Sequence, residues 1–303
     1  MNVTPALPAI EDAIRAVTGN AFRIAACEEV GGGCIHHALT VSDGQARYFV
    51  KINARDALAM FEAEADGLAA IAATGTFRTP AVVAAASAGA HAFLILEHLP
   101  IRPLASTEDG IRFAAALAAL HRVSGAHFGW HRDNHIGRTP QVNTQTDNWA
   151  HFYVEHRLRP QLTLAQQAGY GQELRRAGER LLERVPALFL DYRPQPSLLH
   201  GDLWHGNAGM TAGGEPLLFD PACHYGDRES DLAMSELFGG FPTAFYAAYR
   251  QDWPLNIDYE QRKPLYSLYH ILNHLNLFGR GYLREAQRLT TRLNEALSLR
   301  GNQ

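Results

Sequence analysis

The strongest constraint on how this chain folds is an ordered set of three polar residues placed between apolar runs. Asp202 follows Leu198-Leu199-His200-Gly201, and Asn207 comes five residues after it. Asp220 ends a second apolar run, Leu217-Leu218-Phe219. Carboxylate and amide oxygens suit a hard cation, and a carboxylate can also accept a proton. The order therefore predicts two loops, each following a buried segment, that carry chemistry.

This order is the layout of a kinase-like phosphoryl-transfer site. In such a site Asp202 takes the proton of an acceptor hydroxyl, late in a loose transition state. Asn207 and Asp220 hold the Mg²⁺ that bridges the phosphates of ATP. The sequence thus predicts ATP and Mg²⁺ as cofactors. Taken singly, each residue has the alternative of an ordinary turn or capping residue.

A second set of residues, in the first third of the chain, predicts the nucleotide side. Gly31, Gly32 and Gly33 interrupt two predicted strands, and a backbone without Cβ can approach phosphates closely. A flexible hairpin turn is the alternative. Lys51 ends the apolar strand Tyr48–Lys51, at the place where kinase-like sites put a lysine on the phosphates. A solvated lysine at a strand end is the alternative for Lys51.

The lysine of such a site is held by a glutamate from the next helix. Glu62 and Glu64 compete for this role, and two residues apart on a helix they point to different sides. We favour Glu64, because Leu68 and Ile71 give its side of the helix an inward, apolar face. The sequence predicts that Glu64 faces Lys51.

Other polar residues have predicted supporting roles. Glu97 follows the strand Phe93–Leu96 and opens a hinge whose backbone groups would meet the adenine, while its side chain could be an exposed charge. The loop His200–Asn207, which we call the catalytic loop, begins with a histidine expected to brace it. Asp227 and Asp231 are predicted to cap a helix and anchor it against this loop.

The patterns change character near the end of the first third. Up to Leu96 the pattern predicts several strands beside two helices, and helical segments dominate from Ile111. We therefore expect a boundary near Glu97–Pro103, with a nucleotide-binding lobe at 1–98 and a catalytic and acceptor-binding lobe at 99–303. An ordered loop is expected between 131 and 146. The predicted helices are 7–18, 57–73, 111–122, 147–167, 170–188, 229–238, 241–250 and 261–298.

Composition narrows the class of protein. With 303 residues, 47% of them hydrophobic, the chain can bury a substantial core. A net charge of -4 argues against nucleic acid as a partner, and no stretch approaches the ~18 apolar residues of a membrane span. Three cysteines without metal spacing fit a reducing compartment. We expect a cytoplasmic monomer or homodimer that binds neither nucleic acid nor membrane.

With these residues in hand, the chain resembles the fructosamine kinase (ketosamine-3-kinase) family. That family lies within the protein-kinase-like fold shared with aminoglycoside phosphotransferases and choline kinases. Two stretches, Ile136–Gln141 and Tyr266–Asn276, are more specific to the family than the kinase residues are. The resemblance covers nearly the whole chain. Its other segments are Glu29–Ile35, Phe49–Lys51, Phe61–Leu68, Gly129–Trp130, Leu199–Asn207, Phe219–Ala222 and Tyr225–Glu229.

The resemblance implies an α+β, protein-kinase-like two-lobe fold. Its small N-terminal lobe would have an antiparallel sheet and one helix, and its larger C-terminal lobe would be mainly helical. The implied activity is ATP-dependent phosphorylation of the sugar 3-hydroxyl of a ketosamine, on a glycated protein or a small glycated amine. The product would then decompose and return the free amine, which is deglycation. Ribulosamine, erythrulosamine and fructosamine differ by a few hydroxyls, so selection among them depends on pocket shape.

The resemblance also implies residues on the acceptor side. Trp204, inside the catalytic loop, would line the acceptor site or simply pack. His274 and Asn276 would contact the acceptor, with satisfied polar residues on a packed helix as the alternative.

Two other functions stay open at this point. One is a kinase for another small acceptor, such as an amino alcohol or an aminoglycoside. An aminoglycoside is a polycation and would require many carboxylates, whereas the C-terminal half is not conspicuously acidic. The other is a catalytically weak scaffold that binds nucleotide, although Lys51, Asp202, Asn207 and Asp220 are all retained.

One departure from the family pattern generates a prediction. The glycine loop continues as Cys34-Ile35-His36-His37 and lacks the family's Asn. Backbone N–H donors around Cys34 favour its thiolate. We expect peroxide to oxidise Cys34, with an intermolecular disulfide as one product, and to slow ATP binding until a reductant is added. Mass spectrometry beside the KM for ATP checks this. An unmodified Cys34 with unchanged activity would identify an inert buried thiol.

Overall fold

The computed structural model describes residues 3–31 and 36–300, and the chain divides into two compact units. The first unit comprises Met1–Pro103 and Ala208–Pro221. The second comprises Leu104–Asn207 and Ala222–Gln303. The chain therefore crosses from the second unit to the first after Asn207 and returns after Pro221. A division at residue 98 does not anticipate this excursion, and its assignment of nucleotide-binding and catalytic roles stays a prediction.

A five-stranded antiparallel sheet organises the first unit. In space the strands follow the order β1-β2-β3-β5-β4. Their bounds are β1 Ala26–Glu29, β2 His37–Ser42, β3 Arg47–Ala54, β4 Val82–Ala88 and β5 His91–Glu97. The turn between β2 and β3 forms because Asp43 Oδ1 accepts the N–H groups of Gln45 and Ala46, while Gly44 takes a φ of 93°.

Two helices cover the sheet of the first unit. Alternate residues of a strand point to opposite faces, so Phe93 and Ile95 of β5 pack on one face and Leu94 and Leu96 on the other. Helix α1 (Leu7–Thr18) contributes to the first cluster and helix α2 (Leu58–Ala73) to the second. The unit thus has two helices where the family pattern implies one.

The excursion of the chain into the first unit forms a small second sheet. Its order is β11-β10-β6, from Pro216–Leu218, Ala208–Thr211 and Ile101–Arg102 respectively. Arg78 forms a bridge with Leu217 and exchanges backbone hydrogen bonds with Pro216 and Leu218. This sheet is what fixes Phe219 and Asp220, which follow β11 directly.

The second unit is mainly helical. Its helices are α3 Thr107–Arg122, α4 Trp149–Tyr153, α5 Arg159–Gln167, α6 Gln172–Arg184, α7 Glu229–Leu237, α8 Thr243–Asp252, α9 Tyr259–Phe278 and α10 Leu283–Arg300. A π-helical turn, Val154–Leu158, joins α4 to α5, so the predicted helix at 147–167 is nearly continuous. The prediction of one helix over 261–298 is wrong, because Gly279 at a φ of 93° ends α9.

The region between 131 and 146 is ordered and contains a short hairpin. Strands β7 (Asn134–Ile136) and β8 (Thr139–Gln141) pair antiparallel. Arg157, on the π-helical turn, is 1% exposed and donates to Val142 O and to Asn143 Oδ1. A buried cation is tolerated only with such partners, so the turn and the chain after β8 fix each other.

No helix within residues 3–31 and 36–300 combines the length and hydropathy needed to cross a bilayer. The cytoplasmic location and the monomeric or dimeric state stay predictions.

Core packing in the second unit generates a stability prediction. The Phe245 ring is fully buried and lies 5.9 Å from that of Phe113 and 5.0 Å from that of Phe241. We expect Phe245→Ala to lower the free energy of unfolding by about 3–5 kcal/mol. Ile257→Ala is the control, because Ile257 is 94% exposed, and its effect should stay within about 0.5 kcal/mol. Denaturant unfolding that gives equal effects would contradict the packing described.

Candidate active site

The catalytic loop is held from behind by a buried carboxylate. The loop follows β9 (Ser197–Leu199), which pairs with β12 (His224–Gly226). Asp231 of α7 accepts the N–H of His200 at 2.8 Å and that of Gly201 at 2.9 Å. Its Oδ2 also lies 3.3 Å from His121 Nε2. The predicted anchoring role of Asp231 is confirmed.

The charge of this anchor is maintained by its partners. Burial acts to raise the pKa of Asp231, but the hydrogen bonds from His121 and from the N–H of Gly201 outweigh it and lower that pKa. Asp231 is therefore a carboxylate at neutral pH, and charge-assisted hydrogen bonds of this kind are stronger than neutral ones.

Gly201 has a conformation and a position that only glycine fits. Its φ is +82°, and an added Cβ would lie 2.1 Å from the carbonyl oxygen of Ala222. The segments of Gly201 and Ala222 are also joined by a backbone hydrogen bond, in which the N–H of Ala222 donates to His200 O at 2.8 Å. The backbone just before Asp202 is thus closely packed against Ala222.

Asp202 is fixed by hydrogen bonds with residues of its own loop. Asn207 Nδ2 donates to Asp202 Oδ2 and to the Asp202 carbonyl oxygen, each at 3.0 Å. The N–H of Asp202 donates to His200 Nδ1 at 3.2 Å, so His200 braces the loop as expected. Because the amide nitrogen of Asn207 is committed to Asp202, its Oδ1 is the atom suited to a cation.

A residue of α9 that the sequence reasoning missed also faces Asp202. His270 is 4% exposed, and its Nδ1 lies 4.0 Å from Asp202 Oδ1. The available signal was helical spacing, since His270 comes four residues before His274 and therefore shares its face.

The first unit carries the residues predicted for the phosphate side. Lys51 is 5% exposed, and its Nζ lies 2.7 Å from Glu64 Oε1 and 2.5 Å from Asp220 Oδ1. Glu62 is exposed, so the structure pairs Lys51 with the predicted glutamate. Burial alone would lower the pKa of Lys51, but Asp220 and Glu64 outweigh it and raise that pKa. Lys51 is therefore a fixed cation.

Asp220 occupies a special backbone position. Its φ is 55°, and it is the one non-glycine residue with positive φ in the described parts of the chain. Such a conformation is costly for a residue with Cβ and persists where the surroundings impose it. The small sheet and the ion pair with Lys51 are the surroundings that do so here.

The other predicted nucleotide-side residues give a mixed result. The Glu97 carboxylate pairs with Arg78 and accepts the N–H of Ala81 at 3.1 Å, so its side chain is not the free exposed charge of the alternative, and its place at the hinge stays a prediction. Gly31 is described, whereas Gly32, Gly33 and Cys34 lie outside the described residues.

The predicted acceptor-side residues divide into two groups. The rings of Trp204 and His274 lie 6.3 Å and 4.6 Å from that of Phe238, which gives a partly exposed aromatic surface. Burial lowers the pKa of His274, so this imidazole is neutral. Asn276 instead donates to the backbone oxygen of Gln161 at 3.0 Å and to its Oε1 at 2.7 Å. These contacts occupy its amide nitrogen, and the role of Asn276 on the acceptor side stays a prediction.

Comparisons with known proteins define the class of protein, a kinase that transfers phosphate to a sugar hydroxyl. The family model described as fructosamine kinase matches residues 6–296. A probable ketoamine kinase of Synechocystis is 47% identical over 286 residues, which cover 92% of this chain and 94% of that protein. A chloroplastic protein-ribulosamine 3-kinase of Oryza sativa is 39% identical over 282 residues, which cover 91% of this chain and 82% of that protein.

A solved structure agrees with these relatives. A Haemophilus somnus protein named as a candidate fructosamine-3-kinase superposes with a TM-score of 0.88 at 31% identity, covering 94% of this chain and 96% of that one. The α+β, protein-kinase-like two-lobe fold is confirmed. The chain belongs to the fructosamine kinase family.

The packing of the catalytic loop generates a prediction. Gly201→Ala should lower both the melting temperature and kcat, because positive φ costs about 1–2 kcal/mol for a residue with Cβ and the clash with Ala222 adds to it. Gly213→Ala is the control, since its nearest neighbouring atom would lie 3.7 Å away. Thermal denaturation and kinase assays give the melting temperature and kcat of both variants. Similar values for the two variants would show that Gly201 tolerates a Cβ.

Proposed function

We propose that this protein is an ATP-dependent kinase that phosphorylates the sugar 3-hydroxyl of ketosamines and so leads to deglycation. The observation that carries the proposal is the fixed carboxylate of Asp202, 23% exposed and held by Asn207 on a loop that Asp231 anchors. The names of the relatives, ketoamine kinase and ribulosamine 3-kinase, support the acceptor class. Glycated protein lysines and small glycated amines both present the required group.

Asp202 is the proposed base. Its carboxylate orients the acceptor hydroxyl and accepts the hydroxyl proton as the new P–O bond forms and the bond to ADP breaks. In a loose transition state the proton moves late, so a carboxylate of ordinary basicity suffices. The orientation of the Asp202 carboxylate therefore matters more than its basicity, and the contacts within the catalytic loop provide that orientation.

Lys51 and Glu64 are the proposed phosphate-side pair. Lys51 is a buried cation positioned by two carboxylates, which limits its motion and keeps it charged. A fixed ammonium group of this kind can neutralise phosphate charge without reorganising. The glycine loop at Gly31–Gly33 would supply backbone N–H groups to the same phosphates.

Asn207 and Asp220 are the proposed magnesium ligands. The donor set fits a hard cation: one amide oxygen whose nitrogen is committed elsewhere, and one carboxylate that is 43% exposed. When bound, Mg²⁺ would offset the charge that develops on the phosphates. For the acceptor side, the proposal keeps Trp204 and His274, whose rings form the aromatic surface with Phe238.

A kinase assay tests the proposal directly. ATP consumption with Mg²⁺ is measured for ribulose-lysine, fructose-lysine and kanamycin. We expect turnover of a ketosamine, and a loss of about 10²–10⁴-fold in Asp202→Ala.

The control for this assay is Asp252→Ala. Asp252 makes a surface ion pair with Arg122 in the same unit, so its loss should leave the rate near that of the wild type. Turnover of kanamycin alone, or of none of the three, would refute ketosamine as the acceptor.

A further inference from the structure

The two carboxylate oxygens of Asp202 have different neighbours. Oδ2 accepts from Asn207, as described, and Oδ1 is the oxygen nearest to His270 Nδ1, at 4.0 Å. An ionised carboxylate has about four acceptor positions. Hydrogen bonds to both oxygens would therefore still leave a position for the hydroxyl of an acceptor.

His270 has an unused hydrogen-bonding atom that is buried. Its Nδ1 is enclosed and has no hydrogen-bond partner within residues 3–31 and 36–300. Leaving such an atom unpaired costs about 1–3 kcal/mol. The position is also fixed, because the His270 carbonyl accepts from His274 Nδ1 at 2.8 Å and the His270 ring packs on Tyr269 at 5.1 Å.

Burial, aided by neighbouring positive groups, keeps His270 neutral. Burial lowers the pKa of His270 to about 3, and the neighbouring His274 and Arg157 act in the same direction against Asp231. A neutral imidazole carries one N–H, and the hydrogen bonds available to the ring decide which nitrogen holds it. An imidazolium here would form an ion pair with Asp202 and make it a weaker base. A neutral N–H donor orients Asp202 and lowers its basicity less.

We propose that His270 is a positioning residue, whose ring proton resides on Nδ1, facing Asp202 Oδ1, and forms a hydrogen bond to that oxygen when the site is loaded. A shift of about 1 Å brings the two atoms to the usual hydrogen-bond distance. Asn207 and His270 then hold the carboxylate from its two oxygens, which fixes the orientation in which Asp202 meets the hydroxyl. This inference rests on the proposed function only in naming Asp202 as the base.

Two amide substitutions separate this role from simple packing. The side-chain nitrogen of Asn can stand where Nδ1 of His stands, whereas the nitrogen of Gln stands nearer Nε2. Gln is closer to His in size, so a packing role predicts that His270→Gln is the milder change. The positioning role predicts the opposite.

The kinetic test compares His270→Asn, His270→Gln and His270→Phe on whichever acceptor the wild type phosphorylates best. We expect Gln and Phe to lower kcat by up to about 100-fold with little change in the KM for ATP, and Asn to recover most of the loss. Melting temperatures of the three variants control for folding. If Gln equals or exceeds Asn in kcat, the positioning role is wrong.

A spectroscopic test needs no acceptor. Nitrogen-15 NMR of histidine-labelled protein reports which ring nitrogen of His270 carries the proton. We expect the Nδ1–H form in the wild type and a lower share of it in Asp202→Ala. An Nε2–H form in the wild type, or no change in the variant, would overturn the inference. Because this readout is independent of turnover, failure of the ketosamine proposal would not be confused with failure of this one.

Discussion

The two hydrogen bonds from the backbone of His200 and Gly201 to the buried carboxylate of Asp231 are the contacts on which the catalytic loop depends. They fix the turn from which Asp202 projects, and no Cβ can be accommodated at Gly201. Asp231 itself stays ionised because hydrogen bonds offset its burial. The candidate base is thus one residue beyond a turn held by charge and steric exclusion, which limits its freedom before any acceptor arrives.

The same principle operates at Lys51, on the proposed phosphate side. Lys51 is buried, and burial would favour its neutral form if Glu64 and Asp220 were absent. The two carboxylates keep it charged and hold it in place, while the small sheet carries Asp220 in a costly backbone conformation. Both halves of the proposed chemistry therefore rely on buried charges whose partners cannot be removed without leaving an uncompensated ion.

Part of the fold and of the candidate site follows from the sequence. The long helices and the central strands could be predicted, because their apolar periodicity extends over many residues. Helix α1 and the choice of Glu64 over Glu62 follow from the same periodicity. The very short strands β6 to β12 could not be predicted, because two to four residues carry no period. In addition, β6 pairs with β10 and β9 with β12 across long separations in sequence.

By itself the sequence determined which side chains are available for chemistry: Lys51, Asp202, Asn207 and Asp220, each identified by spacing that a local loop or strand end preserves. Only the tertiary structure decided how remote polar residues are used. It commits Glu97 to Arg78 and Asn276 to Gln161, and it brings His270 to Asp202. The physical reason is that a hydrogen bond between distant segments depends on how whole elements pack, and local spacing carries no record of that packing.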